Sequence, residues 1–116
     1  MAHTAHTAEQ VGIAAEKENA LWDFERSPLF SEAERAALRV AQRAAQVPNA
    51  VTDADFGELK KHYTDAQIVD IVAVISLFGF LNRFNDTMAT ELEASPMEAG
   101  KRFLAKKGWS IGKHAA

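Results

Sequence analysis

The sequence predicts an all-α protein, a helical bundle arranged around one long buried central helix at about residues 65–88. Three observations carry that class. The stretch Ile68 to Leu81 puts apolar side chains on nearly every side of a 3.6-residue spiral. Its β-branched first half would also suit a buried strand, but the run continues without punctuation to about Met88, past the roughly ten residues at which strands stop. Several apolar segments are preceded by capping chemistry: Ser31 with Glu34, Thr52 with Asp55, Thr64 with Gln67, and Ser95-Pro96 with Glu98. No strand signal survives elsewhere.

The elements follow in order. Ala2 to Val11 is alanine-rich and stops at Gly12; no capping residue precedes it, so it reads as the tail end of a helix. Ala14 to Arg26 is a second helix, with Ala14, Leu21, Trp22 and Phe24 on its apolar side, and Ser27-Pro28 breaks it. The helix opened by Ser31, with Phe30 in the staple position, runs to about Gln46. Ala37, Leu38, Ala41, Ala44 and Ala45 are expected to face inward there, and Arg35, Arg39 and Arg43 to form an outer stripe. Val47-Pro48-Asn49 ends it. A short helix from Thr52 to about His62 buries Phe56 and Leu59, the central helix follows Thr64, and a last helix from Ser95 carries Phe103 and Leu104 to about Gly108.

At 116 residues this is a single domain, 1–116, and 47% hydrophobic with 25% charged residues is ordinary for a soluble globular chain. The net charge of -3 offers no general attraction to nucleic acid or anionic lipid; residues 97–116 are locally basic, a pattern expected of a solvated helix end. A membrane span needs roughly 20 consecutive apolar residues, and the run here holds about fourteen, includes Asp70 and ends in Asn82, Arg83, Asn85 and Asp86, so no membrane partner is expected. The chain has no cysteine, which excludes disulfides, thiolate metal sites and cysteine nucleophiles. The first residues have neither a basic start nor an apolar centre, so a cytoplasmic location is expected.

Chemistry is sparse. His3, His6 and Glu9 recur at one-turn spacing and could share a metal, but a single helical stripe seldom converges on one ion without a second element, and no metal or other cofactor is expected. Asn82, Arg83, Asn85 and Asp86 crowd the end of the central helix, where they either bond neighbouring loops or, with His6, form the polar mouth of a small-molecule pocket. Asp70 is a paired core acid or the one solvent-facing position of its run, and His62 and His114 suggest nothing specific. There is no glycine-rich phosphate loop and no Ser-His-Asp set.

Two segments, Glu16 to Asp55 and Gln67 to Glu93, resemble the carboxymuconolactone decarboxylase and alkyl hydroperoxidase D-like (AhpD-like) family. The phrases SPLFSEAERAAL, AVTDADF and LFGFLNRFNDTMA carry the resemblance, which covers most of residues 14–93. It implies an AhpD-like helical bundle of a kind that commonly assembles into trimers or hexamers, and a homo-oligomer (dimer, trimer or hexamer) is expected of this chain. Peroxidase members of the family use a C-x-x-C pair followed closely by a histidine, with an upstream glutamate, and in such proteins the text after the second cysteine often resembles xAHTA. Met1 to Ala5 matches that text, which puts His3 on the motif histidine and would place both cysteines before residue 1. The expectation is therefore the C-terminal part of a family member, from an internal start or a natural loss of the first helices.

A thiol peroxidase needs a thiolate to attack the peroxide and a second thiol to resolve the sulfenic acid. No methionine can form a thiolate, and His3, the candidate catalytic remnant, has no nucleophile to activate. The resemblance thus implies a relative of thiol-dependent, antioxidant hydroperoxide reduction without its redox cysteines. The alternatives are a cofactor-free lactone decarboxylase using His3 or His6 as general base, and a non-enzymatic helical interaction module. Missing first helices would leave the central helix's flank open, and exposed apolar patches favour association, so a homo-oligomer is expected.

Overall fold

The structure, a computed structural model, describes residues 2–115. Among them are six α-helices and no strand: α1 (Ala2–Gln10), α2 (Ala15–Asn19), α3 (Glu32–Ala44), α4 (Asp53–Lys60), α5 (Asp65–Met88) and α6 (Ala94–Phe103), with short 3-10 turns at Ala20–Asp23, Ala105–Lys107 and Gly112–His114. They divide into two compact units, Phe24–Phe84 and the pair of segments Met1–Asp23 with Asn85–Ala116.

In the unit Phe24–Phe84, local capping chemistry sets three helix starts. Glu34 N–H donates to Ser31 Oγ at 3.1 Å and Ser31 N–H to Glu34 Oε1 at 3.1 Å. Thr52 and Asp55 exchange the same two bonds at the start of α4, and Thr64 and Gln67 at the start of α5. Each box satisfies two of the amide groups that a helix start leaves without partners. Ala36 and Val40 of α3, Leu59 of α4 and Ile68 of α5 make the core, with Ala37, Val51, Tyr63, Ile71 and Ile75 packed against it. Leu59 is fully enclosed at 0% exposure. Tyr63 Oη donates to the Ala33 carbonyl at 3.0 Å, so its ring fills the core while its hydroxyl is satisfied.

Here α3 is rotated from the expected register. Its buried residues are Ala36 and Val40; of the residues expected inward, Ala37 packs against the core and Ala45 is exposed. The arginines are not a free outer stripe; each reaches a specific acceptor. Arg35 donates to the carbonyls of Phe24 (3.1 Å) and Ser27 (2.7 Å), Arg39 clasps both oxygens of Glu25, and Arg43 pairs with Asp55. Guanidinium donors outweigh alanine methyl groups in fixing this face, because the unwound carbonyls at 24 and 27 need partners. Phe56 also departs from expectation, standing at the edge of exposure while Leu59 takes the core position.

In the other unit, α1 lies against α6, with Ala5, Ala99, Phe103 and Leu104 as its core and Trp109 packed on it. Small residues permit the approach: Ala2, Ala5, Ala99 and Gly100 are all buried. Two left-handed glycines end α1 and the 3-10 turn Ala105–Lys107 in the same way. Gly12 (φ +85°) follows α1, with Ile13 N–H bonding Ala8 O and Gly12 N–H bonding Glu9 O; Gly108 (φ +87°) is flanked by Trp109 N–H to Leu104 O and Gly108 N–H to Ala105 O. The expected helix from Ala14 to Arg26 is only α2 and one 3-10 turn, and Leu21 and Trp22 are exposed. The last helix starts at Ala94 rather than after Ser95, which puts Pro96 third in the helix, still within the turn where no N–H partner is required.

The span Asp65–Met88 is a single helix, as expected, but it is not a buried one. Only Ile68 of α5 is buried, and Val69, Val74, Leu77, Phe80, Phe84 and Met88 are all exposed. A helix that is apolar all round needs neighbours all round, and the chain covers only the stripe of Ile68, Ile71 and Ile75.

Candidate functional site

The histidines of the unit formed by Met1–Asp23 and Asn85–Ala116 carry its polar chemistry. On the first turn of α1, His3 Nε2 lies 2.7 Å from Glu93 Oε2 and donates to it. Glu93 caps α6, and its own backbone N–H, then the His3 ring, hold its carboxyl below the usual glutamate range. Both side chains are more than half exposed, so solvent screens the pair. His114 Nε2 lies 3.0 Å from Asp86 Oδ1 and its Nδ1 2.7 Å from the Thr90 carbonyl. Both ring nitrogens thus lie beside oxygen acceptors.

A second cluster lies farther along α1. Glu9 pairs with Arg102 of α6, and Glu18 of α2 is coupled to both. Both Glu18 carboxylate oxygens are shielded from water and accept no hydrogen bond among the described residues. Burial pushes this carboxyl upward, the Glu9 charge adds to the shift, and Arg102 opposes it.

The structure sorts the sequence candidates. His3, His6 and Glu9 share α1, but His3 is taken by Glu93 and Glu9 by Arg102, and among the described residues no three His, Cys, Asp or Glu side chains are grouped to hold a metal. His6 is half-buried. Asn82 and Arg83 are exposed on α5, Asn85 gives its carbonyl to Thr90 N–H, and Asp86 turns to His114. His6, Asn85 and Asp86, which belong to one unit, share no side-chain hydrogen bond or ion pair among the described residues. Asp70 is exposed, but so is most of its run, Val69, Val74 and Leu77 included. Sequence reading missed Glu93 and Glu18 and gave His114 no role. Only Glu93 had a signal, as an acid just before a helix start, where the N-terminal dipole favours negative charge.

No family model matches the chain. Over 81 residues, 70% of its length, it is 37% identical to the uncharacterized protein YnjA of Escherichia coli (strain K12), of which it covers 44%. Crystal structures of the debrominase Bmp8, in the apo form and as a cysteine-to-alanine variant in complex with 2,3,4-tribromopyrrole, match 88% of the chain with a TM-score of 0.82 and 32% identity, over 55% of their own length. The chain spans about half the length of the proteins it matches, and its all-α architecture is similar to the corresponding part of Bmp8.

Proposed function

We propose that the chain is a helical module of the carboxymuconolactone decarboxylase and AhpD-like family, related to thiol-dependent hydroperoxide reduction, which keeps the scaffold without the sulfur chemistry. The observation that carries this reading is the match to Bmp8: a TM-score of 0.82 at 32% identity over 88% of the chain. The phrases around Ser31, Thr52 and Leu77 support it, because the first two build the capping boxes that set α3 and α4. With no cysteine, the chain has no thiolate to open a peroxide bond and no second thiol to resolve the product. In this reading its role is to build the helical scaffold, and an absence of cysteine suits a reducing compartment such as the cytoplasm.

The test is hydroperoxide consumption by the purified chain with a dithiol reductant. The expected rate equals the protein-free blank. Protein-dependent turnover would contradict the reading.

The His3–Glu93 contact favours a second reading, cofactor-free acid–base chemistry of the decarboxylase type. Glu93 fixes the Nε2 proton of His3, so Nδ1 is left as the base. On a carboxylated lactone, His3→Ala should abolish any turnover and Glu93→Gln should reduce it. Turnover indifferent to His3 would remove this reading and leave the first intact.

A further inference from the structure

Among the described residues, Glu18 is the side chain whose water-shielded polar atoms have no partner: neither carboxylate oxygen accepts a hydrogen bond. Ionised there, it loses its hydration and gains no donor in return; protonated, it loses far less. The charges around it do not make up the difference. Helix α1 supplies Glu9, a like charge, and α6 supplies Arg102, which Glu9 already holds. The 3-10 turn after α2 carries one charged group, Asp23, and it is exposed. Glu9, Arg102 and a protonated Glu18 are together neutral, so loss of that proton leaves an excess negative charge on two shielded oxygens.

The element that carries Glu18 is weakly held. Helix α2 is five residues long, has no side-chain cap at its start and buries no residue. A helix that short does not persist in water by itself, so it depends on its contacts with α1 and with the turn Ala20–Asp23. The link from α1, Gly12 to Ala14, is exposed, with Gly12 at φ +85°. Helix α2 can therefore swing outward while the core of Ala5, Ala99, Phe103 and Leu104 stays packed. That movement is the way its carboxylate reaches water.

We propose that Glu18 is a proton-operated latch for α2: with the carboxyl protonated α2 stays closed against α1, and loss of the proton releases it into water. Burial makes the closed carboxyl hold its proton more tightly, the Glu9 charge adds to this, and Arg102 opposes it. Released, Glu18 returns to the ordinary glutamate value. A group raised in the closed state favours closure fully below its open value. Closure then weakens, by up to about tenfold per pH unit, as pH rises from there through the raised value. The latch rests on the surroundings of Glu18, not on the family reading, so either can fail alone.

Amide exchange with water, followed by NMR across the mildly acidic to mildly alkaline range on the full chain, tests it. The Glu18 N–H, bonded to Ala14 O at 3.0 Å, and the Ala20 N–H, bonded to Glu16 O, report closure of α2. Their protection, taken against an unstructured peptide at the same pH, should fall by about tenfold or more across the range, while the amides of α3 keep theirs. Glu18→Gln should stay protected throughout. Glu9→Gln, which removes the like charge and frees Arg102 for Glu18, should show a smaller fall. Should Glu18→Gln fail to fold, carbon NMR titration of the Glu18 carboxyl in the parent chain decides, and its midpoint must lie above the ordinary glutamate value. Protection of α2 that is flat with pH, a fall that persists in Glu18→Gln, or an ordinary midpoint would each overturn the inference.

Discussion

Gly100 lies so close under the indole of Trp109 that a Cβ at position 100 would fall 2.7 Å from the ring. The absent side chain is what lets Trp109 seal the core of Ala5, Ala99, Phe103 and Leu104. Gly100→Ala gains about 1 kcal/mol of helix propensity but must push the ring aside at about 1–3 kcal/mol. The variant should lose about 1 kcal/mol in urea unfolding. In a Trp109→Ala background the same change should become stabilising, since only propensity remains; an unchanged sign would show that the ring is not the cause.

Ala89 closes α5 with φ +50°, and Thr90 N–H reaches back to Asn85 O at 3.1 Å. A side chain in that left-handed conformation costs about 1–2 kcal/mol, which glycine does not pay. Ala89→Gly should therefore stabilise by about 1 kcal/mol, against the usual direction of an alanine-to-glycine change. Gly12→Ala and Gly108→Ala, at φ +85° and +87°, should destabilise by a similar amount. Chemical denaturation of the three variants checks the pattern.

Asp55 ties two helices together. Its carboxylate accepts from Arg43 at 2.6 Å and from Thr52 N–H at 2.9 Å, and the residue is buried. The Arg43 bond, then the Thr52 amide, hold its carboxyl below the ordinary aspartate value. A carboxyl lowered in the folded state stabilises above its unfolded value and loses that contribution as pH falls through the folded one. Asp55→Asn should cost about 2 kcal/mol at neutral pH, and the gap between variant and parent should shrink as pH is lowered below about 4.

Glu18 has the opposite sign. Its folded carboxyl is raised, chiefly by burial, so its favourable contribution is present at low pH and fades as pH rises through the raised value. Glu18→Gln should stabilise at pH 7 by on the order of 1 kcal/mol, since the shielded oxygens no longer carry a charge. Thermal unfolding across pH 4–8 reads the difference, which should grow toward the alkaline end.

What the sequence made legible was local. The boxes at Ser31, Thr52 and Thr64 join residues three apart, and the extent of α5 is a matter of run length, so both could be read without knowing what packs where. The face of α3 could not. Alanines looked inward by pattern, but Arg35, Arg39 and Arg43 find acceptors at Phe24, Ser27, Glu25 and Asp55, between 8 and 14 positions away. His3 was legible as a candidate through its AHTA context, whereas its partner Glu93 is 90 positions distant. The cover expected over α5 failed for a related reason: hydrophobicity states what a helix needs, and only the neighbours determine whether it is met.

The central claim is that the apolar face of α5 is left open by the chain's own helices and closed by association. Urea unfolding at a series of protein concentrations measures this directly. Association predicts a midpoint that rises with concentration, by about 1.4 kcal/mol of dimer stability for each tenfold increase. A midpoint independent of concentration would show that the single chain satisfies α5 unaided, and would contradict the account.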